Sequence, residues 1–113
     1  MDEPQRMSEV NQPLNPEQAK AQLMQAWPGF NWLDPVVVNG RLAFVRGSNG
    51  TCKLGVHAVP GGGYKIQCSD PGKGLLVESL LEGEYSPTLA DAIASLRQAA
   101  AEHVRALRLL EAS

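Results

Sequence analysis

The sequence predicts an α+β fold in two layers: an antiparallel β-meander of four to five strands packed by an N-terminal helix and a long C-terminal helix. Three observations carry that prediction. Helix start signals stand at Asn15-Pro16 and again at Thr88. Between Asp34 and Glu84, turn residues recur every eight to twelve positions. The apolar residues between those turns alternate with period two, whereas those after Thr88 recur at spacings of three and four. A chain of 113 residues with 43% hydrophobic and 19% charged residues has room for one core and the composition to form it. Residues 1–13 mix acids, Gln, Asn and two prolines without periodicity and read as a disordered tail. Residues 14–113 then form a single α+β domain.

The first helix begins where Asn15 can cap, Pro16 suits the first helical position and Gln18 stands at the capping-box position. It buries Ala19, Leu23, Ala26 and Trp27, and Pro28-Gly29 ends it. Strands are expected near 35–39, 41–47, 51–59, 63–69 and 74–82, separated by Asn39-Gly40, Ser48-Asn49-Gly50, Pro60 to Gly63 and Asp70-Pro71-Gly72. The sharpest alternation sets Cys52, Leu54, Val56 and Ala58 against Lys53, Gly55 and His57. One face of the sheet is therefore apolar and the other wet. The stretch 74–82 fits a bulged strand or a short helical turn. Thr88 and Asp91 are spaced as a capping box, and Leu89, Ile93, Leu96, Ala100, Val104 and Leu107 form a stripe that extends the second helix to about Leu110.

The chemistry-bearing residues do not assemble into a catalytic or metal-binding pattern. Two Cys and two His occur without C-x-x-C, H-x₃₋₅-H or H-E-x-x-H spacing. The five-residue offset from Cys52 to His57 puts them on opposite faces of a regular strand, which excludes both a shared metal ion and a Cys-His nucleophile pair. Cys52 and Cys68 fall on one face of adjacent strands and read as packed free thiols. Gly61-Gly62-Gly63 lacks the lysine and the following helix of a phosphate loop and reads as a hairpin turn. His103, at the edge of the second helix's stripe, reads as a hydrogen-bonded boundary residue. Glu78, Glu82 and Glu84 read as a solvated acidic edge. No catalytic residue, cofactor or metal is expected, and the chain is read as non-enzymatic.

What remains is surface. Trp27, Phe30 and Trp32 fall within six positions and read as a plug at the open end of the core, the alternative being an exposed anchor patch for a partner, with Trp32 the more accessible tryptophan. Arg41, Lys53, His57, Lys65 and Gln67 gather on the wet face, with the inward parity of 41–46 deciding whether Arg41 or Arg46 joins it, whereas Leu109 is expected to point away from the core. The expected function is docking to a partner protein, as adaptor, chaperone or inhibitor, or self-association as a homodimer through Leu109. The alternative is nucleic-acid binding by the basic face, which pI ≈ 5.6 and the lack of outward aromatic residues disfavour. An acidic N-terminus without an apolar stretch reads as no secretion signal, no run of 18 apolar residues occurs, and a cytoplasmic location with reduced thiols follows.

Overall fold

Helix α1, Pro16–Ala26, starts where its sequence signals stand: the Asn15 side chain accepts from the Glu17 amide at 2.8 Å. The structure is a computed structural model that describes residues 15–59, 63–79 and 85–111. The tail expected over 1–13 lies outside the described residues, as do Glu82 and Glu84. Six strands form one antiparallel sheet: β1 (Asn31–Trp32), β2 (Val36–Val38), β3 (Arg41–Ser48), β4 (Lys53–Ala58), β5 (Tyr64–Asp70) and β6 (Gly74–Glu78). Strands β3 to β6 follow one another as hairpins, and β1 and β2 both pair with β3 along its outer edge. The α+β architecture is the one the sequence predicts, with β1 added, because two residues are too short to leave a periodicity.

Each turn has a local cause. Asn39 and Gly40 both adopt positive φ, 55° and 75°, as a two-residue hairpin turn requires. At the β3–β4 connection the Asn49 carboxamide oxygen accepts from the amides of Thr51 and Cys52. The register between β5 and β6 shifts by a bulge after Cys68, so Leu76 and Val77 both pack against the core. The described part of 74–82 is therefore a bulged strand.

The C-terminal helix is broken where the sequence predicts continuity. Helix α2 spans Leu89–Ala101, capped by the Thr88 hydroxyl accepting from the Asp91 amide, and helix α3 spans Val104–Glu111. Glu102 and His103 separate them, and His103 Nδ1 accepts from the Ala106 amide at 3.2 Å, capping the new helix. The break rotates the apolar stripe: Ala106 and Leu110 are buried, while Val104, expected inside, is 61% exposed. Asn49 Nδ2 and Thr51 Oγ1 donate to the Leu109 carbonyl at 2.8 and 3.0 Å and dock α3 to the β3–β4 turn.

The three helices of the described residues bury their apolar sides in the same cluster as Val45, Leu54, Val56, Tyr64, Ile66 and Cys68. The aromatic cluster closes one end of it. Phe30 and Trp32 stack at 5.8 Å, Trp32 Nε1 donates to the Trp27 carbonyl, and the Arg97 guanidinium lies 5.3 Å from the Trp27 ring centroid. Gly47 makes room for Trp32, since a Cβ there would lie 2.6 Å from an indole carbon.

Candidate functional site

With the helices stacked on the inner face, the outer face of the sheet is where side chains are left to act. Three cross-strand rows can be traced on it by register. The first runs Asn31, Ser48, Lys53, Ser69, Leu75. In the second, the Leu33 amide donates to the Arg46 carbonyl, and Arg46 is followed by Gly55, Gln67 and Glu78. The third runs Val36, Phe44, His57, Lys65.

The third row exists because of an irregularity. Leu42 is buried and faces the core, and regular alternation would place Phe44 beside it. The register shift between β2 and β3 makes Val36 face Phe44 and Val37 face Leu42, leaving Ala43 as an extra residue, and Val45 takes over the inward position. Phe44 consequently faces outward, its ring 6.4 Å from that of His57 and 4.8 Å from the Arg46 guanidinium carbon. Arg46 is carried outward with it.

A depression of about 580 Å³ lies over the first two rows, with Gly55 on its floor and Leu33, Arg46, Lys53, His57 and Gln67 around it. Gly55 has no conformational reason to be glycine: it is an interior strand residue outside the positive-φ set, and the nearest atom an added Cβ would meet is His57 Nε2 at 3.7 Å. A strand glycine that neither turns nor relieves a clash lets something approach the backbone closely. Around it stand two cationic donors, a guanidinium and an ammonium, with carboxamides and hydroxyls that both donate and accept. Arg46 and Lys53 form no ion pair with the described residues, whose three ion pairs are Lys20–Asp34, Lys65–Glu78 and Arg105–Asp70.

The residues expected at the surface divide three ways. Lys53 and His57 line the depression together. Arg41 is exposed but opposes Val38 at the hairpin end of β3 and borders a separate recess with Asn39 and Ala58, so Arg46 takes its place at the site. Lys65 is a correction: it is 7% exposed, held 3.4 Å from Glu78 and 5.8 Å from the Tyr85 ring centroid, because a largely desolvated ammonium is stable only beside an opposite charge. Glu78, expected as part of a solvated edge, is that counter-charge and also accepts from Gln67 Nε2 at 3.0 Å.

Trp32 and Leu109 are also corrected. Trp32 is 6% exposed because it fills the space over Gly47, which leaves the plug and removes the accessible anchor. Leu109 packs against the core, since the break at Glu102 and His103 turns it inward and exposes Val104 instead. Sequence reasoning missed Leu33 and Phe44 and left Arg46 open against Arg41, because the inward parity of 41–46 was undecided by the sequence.

The two thiols lie together in the core as free cysteines. The Cys68 thiol is held well above the ordinary thiol range, first by its hydrogen bond with Cys52 and then by burial and nearby negative charge. Cys52 is shifted the other way, because the bond from Cys68 favours its thiolate against the effect of burial. His57 lies on the opposite face of the sheet, as the offset predicts. Among the described residues no group of three or more His, Cys, Asp or Glu is placed to hold a metal ion. No described helix is long and apolar enough to cross a membrane. Compared with known proteins, the chain matches no family model, no curated protein and no solved structure.

Proposed function

We propose that this chain is a small non-enzymatic interaction module, acting in the cytoplasm as an adaptor, chaperone or inhibitor, that docks a partner protein on the outer face of its sheet. The observation that carries the reading is the pair of cations, Arg46 and Lys53, which form no ion pair among the described residues and stand beside the bare Gly55 floor. Two cations at a concave surface attract a partner bearing carboxylates and fix its position.

Nucleic acid is the second reading, and Phe44 is the observation in its favour, since it supplies the outward aromatic ring that base stacking needs. Its ring is already engaged by Arg46 and His57, and the chain carries a net charge of −2, so a protein partner fits better. The test is affinity capture with the wild-type chain and with the double variant Arg46→Glu/Lys53→Glu, followed by calorimetric titration of the purified partner. A partner retained by the wild type and lost by the variant is the expected result. Capture that ignores the charge reversal overturns the reading, and a nucleic acid as the face-dependent partner replaces it with the second.

A further inference from the structure

The outer face also carries information about what kind of protein segment it takes. Of the large apolar side chains exposed on it, Leu33 at 58% and Leu75 at 54% belong to the rows that cross the depression. They flank it on opposite sides. Leu33 runs alongside β3 at the β1 edge, and Leu75 opposes Ser69 on β6 at the other edge. Between them the floor falls to Gly55, with Arg46 and Lys53 beside it. The face therefore reads, from edge to edge, apolar, cationic over a bare backbone, apolar.

Resting on the docking reading above, we infer that the groove takes an extended acidic peptide segment whose carboxylates sit over Gly55, between Arg46 and Lys53, and whose apolar side chains cover Leu33 and Leu75. The spacing follows from sheet geometry. Leu33 and Leu75 are four strand intervals apart, at about 4.8 Å each, so their separation across the sheet is about 19 Å. An extended peptide advances about 3.3 Å per residue, which places its two apolar residues about six positions apart. Charge complementarity selects the centre of the segment: Arg46 and Lys53 have no carboxylate partner among the described residues, whereas Glu78, in the row of Arg46, is neutralised by Lys65 and does not repel it. The absent side chain at Gly55 lets the peptide lie close enough for both cations to reach it at once.

The experiment uses the full chain and the labelled heptapeptide Leu-Ser-Glu-Glu-Glu-Ser-Leu, with binding read by fluorescence anisotropy at low salt. Replacing the three Glu by Gln is expected to weaken binding at least about tenfold, because the charge-assisted bonds are lost. Shortening the peptide so that its leucines are three positions apart should weaken it several-fold. Gly55→Val, which fills the floor with a residue suited to a strand, should weaken binding at least about tenfold while leaving the thermal midpoint unchanged or higher. Leu33→Ser tests the rim without touching the sheet interior. Equal binding of the Gln peptide, or undiminished binding by Gly55→Val, overturns the assignment, as does preferential binding of a ten-nucleotide oligothymidylate through the same residues. A partner lost on Arg46→Glu/Lys53→Glu yet not displaced by the heptapeptide overturns this ligand and leaves docking standing. The absence of any face-dependent partner overturns docking itself.

Discussion

Gly47 and Gly55 sit on adjacent strands of one sheet and do opposite things. On the inner face Gly47 is filled from outside itself: Trp32 occupies the space its side chain would take. On the outer face nothing fills the space above Gly55, and a Cβ there would meet only His57 at ordinary contact distance. The inner face is a packing solution, where every vacancy is matched by a neighbour. The outer one keeps a vacancy that folding does not require, and this is the physical ground for reading it as a site.

The largest expected effect tests the inner face alone. Leu54→Ala removes a fully buried side chain from the cluster and should lower stability by about 3 kcal/mol in urea unfolding. The glycine pair sharpens the contrast directly. Gly47→Ala drives a methyl group into the Trp32 ring and should cost about 2 kcal/mol, whereas Gly55→Ala should gain about 0.5 kcal/mol by relieving the entropy of a strand glycine. Equal effects at the two positions would erase the distinction.

Lys65 and Glu78 blur the contrast, since they are closely paired and little exposed on the side otherwise left open. Lys65→Met alone should destabilise by about 1.5 kcal/mol, and Lys65→Met/Glu78→Met should recover most of it, as measured by a thermal double-mutant cycle.

The thiol pair gives a pH signature of the core. Cys52 is shifted down in the folded state, so its contribution grows as pH rises toward the ordinary thiol value of 9.0. Cys68 is shifted up, so above that value the unfolded chain gives up a proton that the folded chain keeps, and stability falls as pH rises further. Relative to Cys52→Ala/Cys68→Ala, wild-type stability should therefore peak near pH 9 and decline above it by no more than about 1.4 kcal/mol per pH unit. A flat difference between the two proteins would show that the thiols do not share a bond.

The smallest stability effect belongs to the outer face. Arg46→Glu/Lys53→Glu should change stability by less than about 0.5 kcal/mol while abolishing docking.

The elements legible in the sequence are those whose cause is local. Asn15, Asn39-Gly40 and Thr88 each act through their own side chain or backbone preference, and each does what its residue type predicts. The parity of β4 and β5 was equally readable, because Cys52 to Ala58 alternates without interruption. What escaped is what depends on a second element. The outward turn of Phe44 and Arg46 requires the extra residue at Ala43 against β2, and nothing within β3 reveals it. Lys65 reads as solvated until Glu78 and Tyr85 close over it. The inward turn of Leu109 follows from the helix break at His103, a residue that an unbroken 3.6-residue stripe passes over without notice. Half of the candidate site, Lys53 and His57, was in view, while Leu33 and Arg46 depended on pairings that only the sheet reveals.

The edge formed by β1 and β2 has a further consequence, for solubility. Three exposed valines, Val36 to Val38, line an open strand edge, the kind of surface on which sheets of different molecules join end to side. Asp34 and Pro35 divide that edge into pieces of two and three residues, and Pro35 has no amide hydrogen to offer a passing strand. The break thus also withholds a continuous ladder from polymerising neighbours.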